Sequence, residues 1–147
     1  MNNTDYSMEE LLSMVQEKAL SYSPERVTSA NDVYHALAEY SCKNQEHFLL
    51  ITLDGASKII NKRVIFVGTL NQSLVHPREI FKPAISDNSA GIIIAHNHPS
   101  GTLEASRADI QITQRLKEVS KLIGIELLDH VIISKNGYYS FSDEGLL

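Results

Sequence analysis

Several features are scarce in this sequence of 147 residues, and each absence excludes a class of protein. The single cysteine, Cys42, cannot form an intramolecular disulfide, which suits a protein of a reducing compartment. No apolar run approaches the length of a membrane span, and the first residues lack the basic and apolar segments of a secretory signal. We therefore expect a cytoplasmic protein that does not bind a membrane.

Positive charge and glycine are scarce as well. The formal net charge is −5, so an extended electrostatic surface for nucleic acid is not expected. The first glycine is Gly55, and the sequence contains no G-x-x-x-x-G-K-[ST], G-x-G-x-x-G or H-E-x-x-H motif. The chain is otherwise ordinary for a globular domain, with 43% hydrophobic and 21% charged residues and enough length for one core.

Helical and extended patterns alternate along the chain and predict a single-domain α/β sandwich with a mixed β-sheet. Helices are predicted over 7–20, over 30–41, from Pro77 onward and over 106–123. Strands are predicted over 45–53, 58–67, 91–95, 125–134 and 138–142. Pro83 should kink or shorten the helix that contains it.

Two histidines and an aspartate form the pattern that carries the functional interpretation. His96 and His98 follow the apolar run 91–95 and lie two residues apart, so their side chains point to the same face of an extended chain. Asp109 follows in the first turn of a predicted helix. Two imidazoles and a carboxylate suit a Zn²⁺ ion whose fourth position is left to water, which is typical of catalytic zinc.

A plainer interpretation of the same residues stays open at this point. Ser106 and Asp109 also form the S-x-x-D pattern of a capping box at the start of a helix. That pattern alone would explain both residues, and a histidine pair in a loop can simply be solvated. The spacing by itself favours neither the metal site nor the cap.

A resemblance to a known family favours the metal site. H-x-H, seven further residues and then S-x-x-D is the JAMM motif of the JAB/MPN metalloproteases, and His96, His98, Ser106 and Asp109 match it without a gap. The string HNHPSG, with PREIF before it and LLDHVIIS after it, resembles the bacterial RadC-like branch of that superfamily over roughly residues 30 to 147. One departure is Ala105, because these proteins usually carry proline before the motif serine.

The resemblance implies a fold, a cofactor and a reaction. It implies a JAB/MPN domain, similar in fold to cytidine deaminases, over residues 29–147, after a helical extension and linker over 1–28. It implies Zn²⁺ held by His96, His98 and Asp109, with the motif serine supporting the attacking water or the developing oxyanion. The reaction would be hydrolysis of a peptide or isopeptide amide bond in a peptide or protein substrate.

The resemblance gives catalytic roles to Ser106 and to an upstream glutamate that moves the proton of the attacking water. Glu46 starts the first core strand, in the run E-x-F where the family's catalytic glutamate is expected, and Glu79 lies in PREIF. Because the helix dipole alone explains Glu79 at the start of a helix, Glu46 is predicted to be the base. His130, in LLDHVIIS, is predicted to be a satisfied core histidine, with orientation of a metal ligand as the alternative.

Two other classes of function stay open. RadC-like proteins are traditionally labelled DNA repair proteins, so a DNA repair-associated accessory protein is the first. The acidic balance, and the expected absence of the helix-hairpin-helix region that usually precedes this domain, count against direct nucleic-acid binding. A non-catalytic MPN interaction module is the second, but such relatives lose metal ligands, and His96, His98 and Asp109 are all present.

Overall fold

The structure, a computed structural model, describes residues 6–21, 23–70 and 75–147. Within these ranges it contains four α-helices, a short 3₁₀ turn and five β-strands. In chain order they are α1 (Met8–Ser21), α2 (Ala30–Ala36), the 3₁₀ turn (Ala38–Tyr40), β1 (His47–Leu53), β2 (Ile59–Val67), α3 (Pro77–Ser86), β3 (Gly91–Asn97), α4 (Arg107–Ile123), β4 (Glu126–Ser134) and β5 (Gly137–Ser140).

The strands form one mixed sheet in the order β2-β1-β3-β4-β5. β1 runs antiparallel to β2 and β3, β3 runs parallel to β4, and β4 turns back into the antiparallel β5. The strands β1 and β3 carry apolar side chains on both faces, and almost all of their residues are buried. Such strands need cover on both sides of the sheet, which is the position they occupy.

Helices supply that cover in two layers. On one face, α3 and α4 pack against alternate residues of the central strands, among them Phe48 and Ile94. On the other face, α2 contributes Val33 to a core that includes Leu49 and Ala95. Each fully buried aliphatic side chain contributes about 1.5–3 kcal/mol to the free energy of unfolding, so these two layers hold the sheet rigidly. The predicted α/β sandwich with a mixed sheet is confirmed.

Several predicted boundaries differ from the structure by a few residues. The helix predicted over 30–41 ends at Ala36 and gives way to the 3₁₀ turn. Pro83 lies inside α3, which ends three residues later at Ser86, and its carbonyl accepts a hydrogen bond from the Asp87 N–H at 2.9 Å. The kink or shortening expected from Pro83 stays a prediction. The strand predicted over 91–95 continues to Asn97, whose side chain accepts from the His47 N–H at 2.6 Å and so extends the pairing with β1.

The front of the chain is attached to the sheet. Ser7 and Glu10 form the predicted capping box of α1, with Ser7 N–H donating to the Glu10 carboxylate at 2.8 Å. Further on, Ile59 N–H donates to the Glu25 carbonyl at 2.8 Å, which holds the linker against the start of β2.

The domain boundary at residue 28 stays a prediction. Among the described residues, no helix combines the length and the apolar character needed to cross a bilayer.

Candidate metal centre

His96 and His98 lie where β3 leaves the centre of the sheet. His96 is the sixth residue of β3 and is 1% exposed, with β1 and β4 on either side. The His98 N–H donates to the Ile133 carbonyl at 2.9 Å, so the backbone stays extended one residue past the strand. Both imidazoles therefore point to the same side, as their spacing predicts.

The loop after the histidines needs a glycine. Gly101 has a φ of +86°, and its N–H donates to the His98 carbonyl at 3.0 Å. A Cβ atom at this position would lie 2.6 Å from Nδ2 of Asn136. An L side chain would thus be strained in its backbone and would collide with the β4–β5 turn. The glycine lets the loop fold back against that turn.

Asp109 serves the helix and the histidines at once. Ser106 is the N-cap of α4, and its Oγ accepts from the Asp109 N–H at 3.0 Å, while Asp109 Oδ2 accepts from the Ser106 N–H at 2.8 Å. The other carboxylate oxygen, Oδ1, lies 3.2 Å from Nε2 of His96. The capping box and the candidate metal ligand are therefore two uses of one side chain, and the cap fixes the direction of the carboxylate.

The three candidate ligand atoms converge on one point. Nε2 of His96, Nε2 of His98 and a carboxylate oxygen of Asp109 lie within 4.8 Å of one another. Nε2 of His96 lies 2.8 Å from Nε2 of His98 and 3.2 Å from Oδ1 of Asp109, and Nε2 of His98 lies 3.8 Å from Oδ2 of the same carboxylate. On a tetrahedron with metal–ligand distances of about 2.0–2.1 Å, two ligand atoms lie about 3.3 Å apart. The spacing of these atoms thus fits a small tetrahedral cation.

The hydrogen bonds of the ligands also favour a cation. Nδ1 of His98 lies 2.8 Å from the Thr102 carbonyl, which can only accept, so Nδ1 carries the proton and Nε2 keeps its lone pair. The Asp109 carboxylate accepts as well. A proton on Nε2 of His96 could serve one of these acceptors, whereas a divalent cation at the centre would serve all of them.

The Asp109 carboxyl stays ionised in this environment. Burial is the strongest influence and by itself raises its pKa, because the charged form loses water. When His96 is protonated, its hydrogen bond and charge, together with the N–H and hydroxyl of Ser106, outweigh burial and hold the pKa of Asp109 well below its ordinary value. An ionised carboxylate is the form that binds a metal.

A cleft of about 520 Å³ opens onto the three ligands. Glu46 and Ser106 also line it. Glu46 precedes β1, and its Oε2 accepts from the Leu70 N–H at 3.1 Å, which holds the carboxylate near the end of β2. Glu79 is not among the residues that line the cleft; it is exposed in the first turn of α3, 3.6 Å from Arg78. The catalytic roles of Glu46 and Ser106 stay predictions.

Two residues at this site have no simple sequence signal. His130 is fully buried and has hydrogen-bond partners, as predicted. Its Nε2 lies 2.8 Å from Nδ1 of His96, so it also contacts a candidate metal ligand, which was the alternative interpretation. Burial lowers the pKa of His130 well below its ordinary value. Thr113 contacts the other ring nitrogen of His130. The polar pair Asp129 and His130 between the apolar runs of LLDHVIIS was the available hint.

The chain is similar to a described domain family and to proteins of several bacteria. Residues 27–146 match the family described as the RadC-like JAB domain. A UPF0758 protein of Clostridium perfringens is 50% identical over 123 residues, which cover 83% of this chain and 54% of that protein. A UPF0758 protein of Geobacter sulfurreducens is 40% identical over 139 residues, which cover 94% of this chain and 61% of that protein. The chain thus spans a little over half the length of these relatives.

Proposed function

This chain belongs to the RadC-like JAB domain family, and on that premise we propose that it is a zinc-dependent hydrolase of peptide or isopeptide amide bonds. The observation that carries the proposal is the convergence of two imidazole nitrogens and one buried carboxylate on a point beside a cleft. Two histidines and one carboxylate form a ligand set typical of catalytic zinc, because a fourth position stays open for water.

Each residue of the site has one task in this reaction. Zn²⁺ held by His96, His98 and Asp109 would supply a Lewis acid that polarises the carbonyl and acidifies water. The Glu46 carboxylate takes the proton of the attacking water and passes it to the leaving amine. Ser106 uses an oxygen lone pair for its bond to the Asp109 N–H, which leaves its O–H to donate to the developing oxyanion.

The shape of the surface supports an extended substrate. A second depression of about 400 Å³ adjoins the cleft and shares Glu46, Thr69 and Ser100 with it. Because they share these residues, the two depressions join and extend from the histidine pair to Gly68, just after β2. A groove of this kind suits an extended peptide segment better than a small compact molecule.

Hydrolysis of a panel of peptide and isopeptide substrates by the zinc-loaded chain tests the proposal. Once a substrate is cleaved, Glu46→Gln should lower turnover by about 100-fold or more while keeping zinc, because only the proton acceptor is removed. Glu79→Gln is the matched control and should stay active, since Glu79 does not line the cleft. Full activity in Glu46→Gln, or a loss confined to Glu79→Gln, would contradict the assignment of the base. A zinc-loaded chain that cleaves no substrate would contradict the proposed function itself.

A further inference from the structure

Behind the ligands lies a chain of hydrogen bonds for which the proposed reaction has no use. His130 of β4 places Nε2 at 2.8 Å from Nδ1 of His96 and Nδ1 at 2.5 Å from the hydroxyl of Thr113. Thr113 belongs to α4, and its Oγ1 lies 2.7 Å from the backbone carbonyl of Asp109. The chain therefore connects one candidate ligand with the backbone of another.

The direction of these hydrogen bonds follows from the last acceptor of the series, the backbone carbonyl oxygen of Asp109. The Asp109 carbonyl can only accept, so the Thr113 hydroxyl donates its one hydrogen there. The hydroxyl oxygen must then accept from His130, which places a proton on Nδ1 of that ring.

The surroundings of His130 determine whether its other ring nitrogen, Nε2, donates or accepts a hydrogen bond. The ring is 0% exposed and lies against Phe141 and Phe48, with ring centroids 4.5 and 6.2 Å away. Within the part of the chain that the structure describes, neither ring nitrogen contacts a carboxylate. A buried imidazolium without a counter-ion is costly, so the ring is neutral and Nε2 is an acceptor. Among the described residues, the polar atom that faces it is Nδ1 of His96, which must therefore donate.

We propose that His130 and Thr113 are positioning residues that hold His96 as its Nδ1–H tautomer and aim its Nε2 lone pair at the space shared with His98 and Asp109. The opposite tautomer of His96 would place a hydrogen where the metal has to bind. The role of these contacts in metal binding rests on the proposed function. The tautomer of His96 does not, because it can be measured in the metal-free protein. A neighbour that fixes the tautomer of a ligating histidine also fixes its ring orientation.

Nitrogen NMR of the ¹⁵N-labelled chain tests the tautomer directly. In metal-free protein in mildly alkaline buffer, where an ordinary imidazole is neutral, we expect His96 to carry its proton on Nδ1. His98 should show the same tautomer because of the Thr102 carbonyl. A wild-type spectrum with the His96 proton on Nε2 would overturn the proposal, and this result needs no variant to fold.

A matched pair of variants tests the consequence. Thr113→Val keeps the shape of the side chain but removes the acceptor for His130, so the Nδ1–H signal of His96 should be lost and zinc affinity should fall roughly 10- to 100-fold. Thr113→Ser keeps the hydroxyl and should keep both the signal and the affinity. Wild-type tautomer and wild-type affinity in Thr113→Val would overturn the proposal. A wild-type chain with the expected tautomer but no zinc binding would instead contradict the proposed function.

Discussion

Two buried aspartates lie in two separate cavities of this fold, and only one of them belongs to a candidate metal site. Asp109 is 2% exposed and lines the cleft of about 520 Å³ at the start of α4. Asp129 is 8% exposed and lines a cavity of about 430 Å³ beside β4 and α2. Burial and cavity size are thus similar, so neither property distinguishes the two sites.

The groups that face the carboxylates differ. Asp129 meets hydrogen-bond donors: the Ser140 hydroxyl at 2.6 Å, the His130 N–H at 2.7 Å and the Ser142 N–H at 3.0 Å. Asp109 meets the cap of its helix on one side and two imidazole Nε2 atoms on the other. Asp129 therefore holds the end of β5 and the residues that follow it, through Ser140 and Ser142, against β4. A buried carboxylate indicates a metal ligand only where its neighbours are acceptors too.

The pKa values of the two carboxyls move in opposite directions. Burial is the main reason that the pKa of Asp129 is raised above its ordinary value, and the three donors only partly offset it. For Asp109 burial also acts most strongly, but the bond and charge of His96 reverse the outcome, and its pKa is lowered. Burial acts on both carboxyls in the same sense, so the opposite pKa directions follow from the groups that face each of them.

The largest expected effect separates the two aspartates by metal binding. Asp109→Asn should weaken zinc binding by more than the roughly 10- to 100-fold that loss of an outer partner costs, because a neutral amide is a poor ligand for Zn²⁺. Asp129→Asn should bind zinc like the wild type. Competition titration against a chromophoric chelator measures both. Equal losses in the two variants would remove the distinction between the sites.

The second effect concerns stability at Asp129. An amide offers one acceptor oxygen and turns an N–H₂ group towards the donors that Asp129 now serves, so Asp129→Asn should lower the free energy of unfolding by about 1–3 kcal/mol. Asp143→Asn is the matched control, since Asp143 lines the same cavity but is exposed, and it should change stability by less than about 0.5 kcal/mol. Urea unfolding at neutral pH measures these differences, and equal stabilities in both variants would contradict the role of Asp129.

Asp129 should also impose a pH dependence on stability. Its folded-state pKa lies above the unfolded value of about 3.9, so between these two pKa values the native state binds more protons than the unfolded state. The Asp129 contribution to the free energy of unfolding therefore falls as pH rises through that window. The difference between wild type and Asp129→Asn, followed by urea unfolding across mildly acidic pH, should show this decline, whereas a flat difference would contradict the raised pKa.

The smallest effect compares two capping boxes of the same design. Ser106→Ala and Ser7→Ala each remove the N-cap hydroxyl of a helix, at a cost of roughly 0.5–2 kcal/mol to that helix. Only Ser106→Ala should also reduce zinc affinity, because the cap of α4 orients Asp109 and the cap of α1 orients no ligand. Zinc titration of both variants distinguishes them, and an unchanged affinity in Ser106→Ala would show that the cap does not position the carboxylate.

The parts of this site that the sequence predicts are those encoded over short distances. His96 and His98 share a face because of strand geometry, and Asp109 follows from the cap of its own helix. The sequence could not decide between cap and candidate ligand, because one Asp109 carboxylate both accepts from the Ser106 N–H and faces the two imidazoles.

The remaining features depend on long-range pairing. His130 reaches His96 only because β3 and β4 pair in parallel with Ile94 opposite His130. Thr113 completes the contact from a helix on the neighbouring layer. The position of Glu46 beside the cleft likewise depends on the packing of the end of β2, which no local pattern specifies.

Zinc content is the measurement that tests the central claim most directly. Elemental analysis of the purified chain after equilibration with zinc should find about one zinc ion per wild-type chain and almost none in His96→Ala, because an open site with three protein ligands does not survive the loss of one. Equal zinc in the two proteins, or none in the wild type, would contradict the assignment of His96, His98 and Asp109 as the metal site.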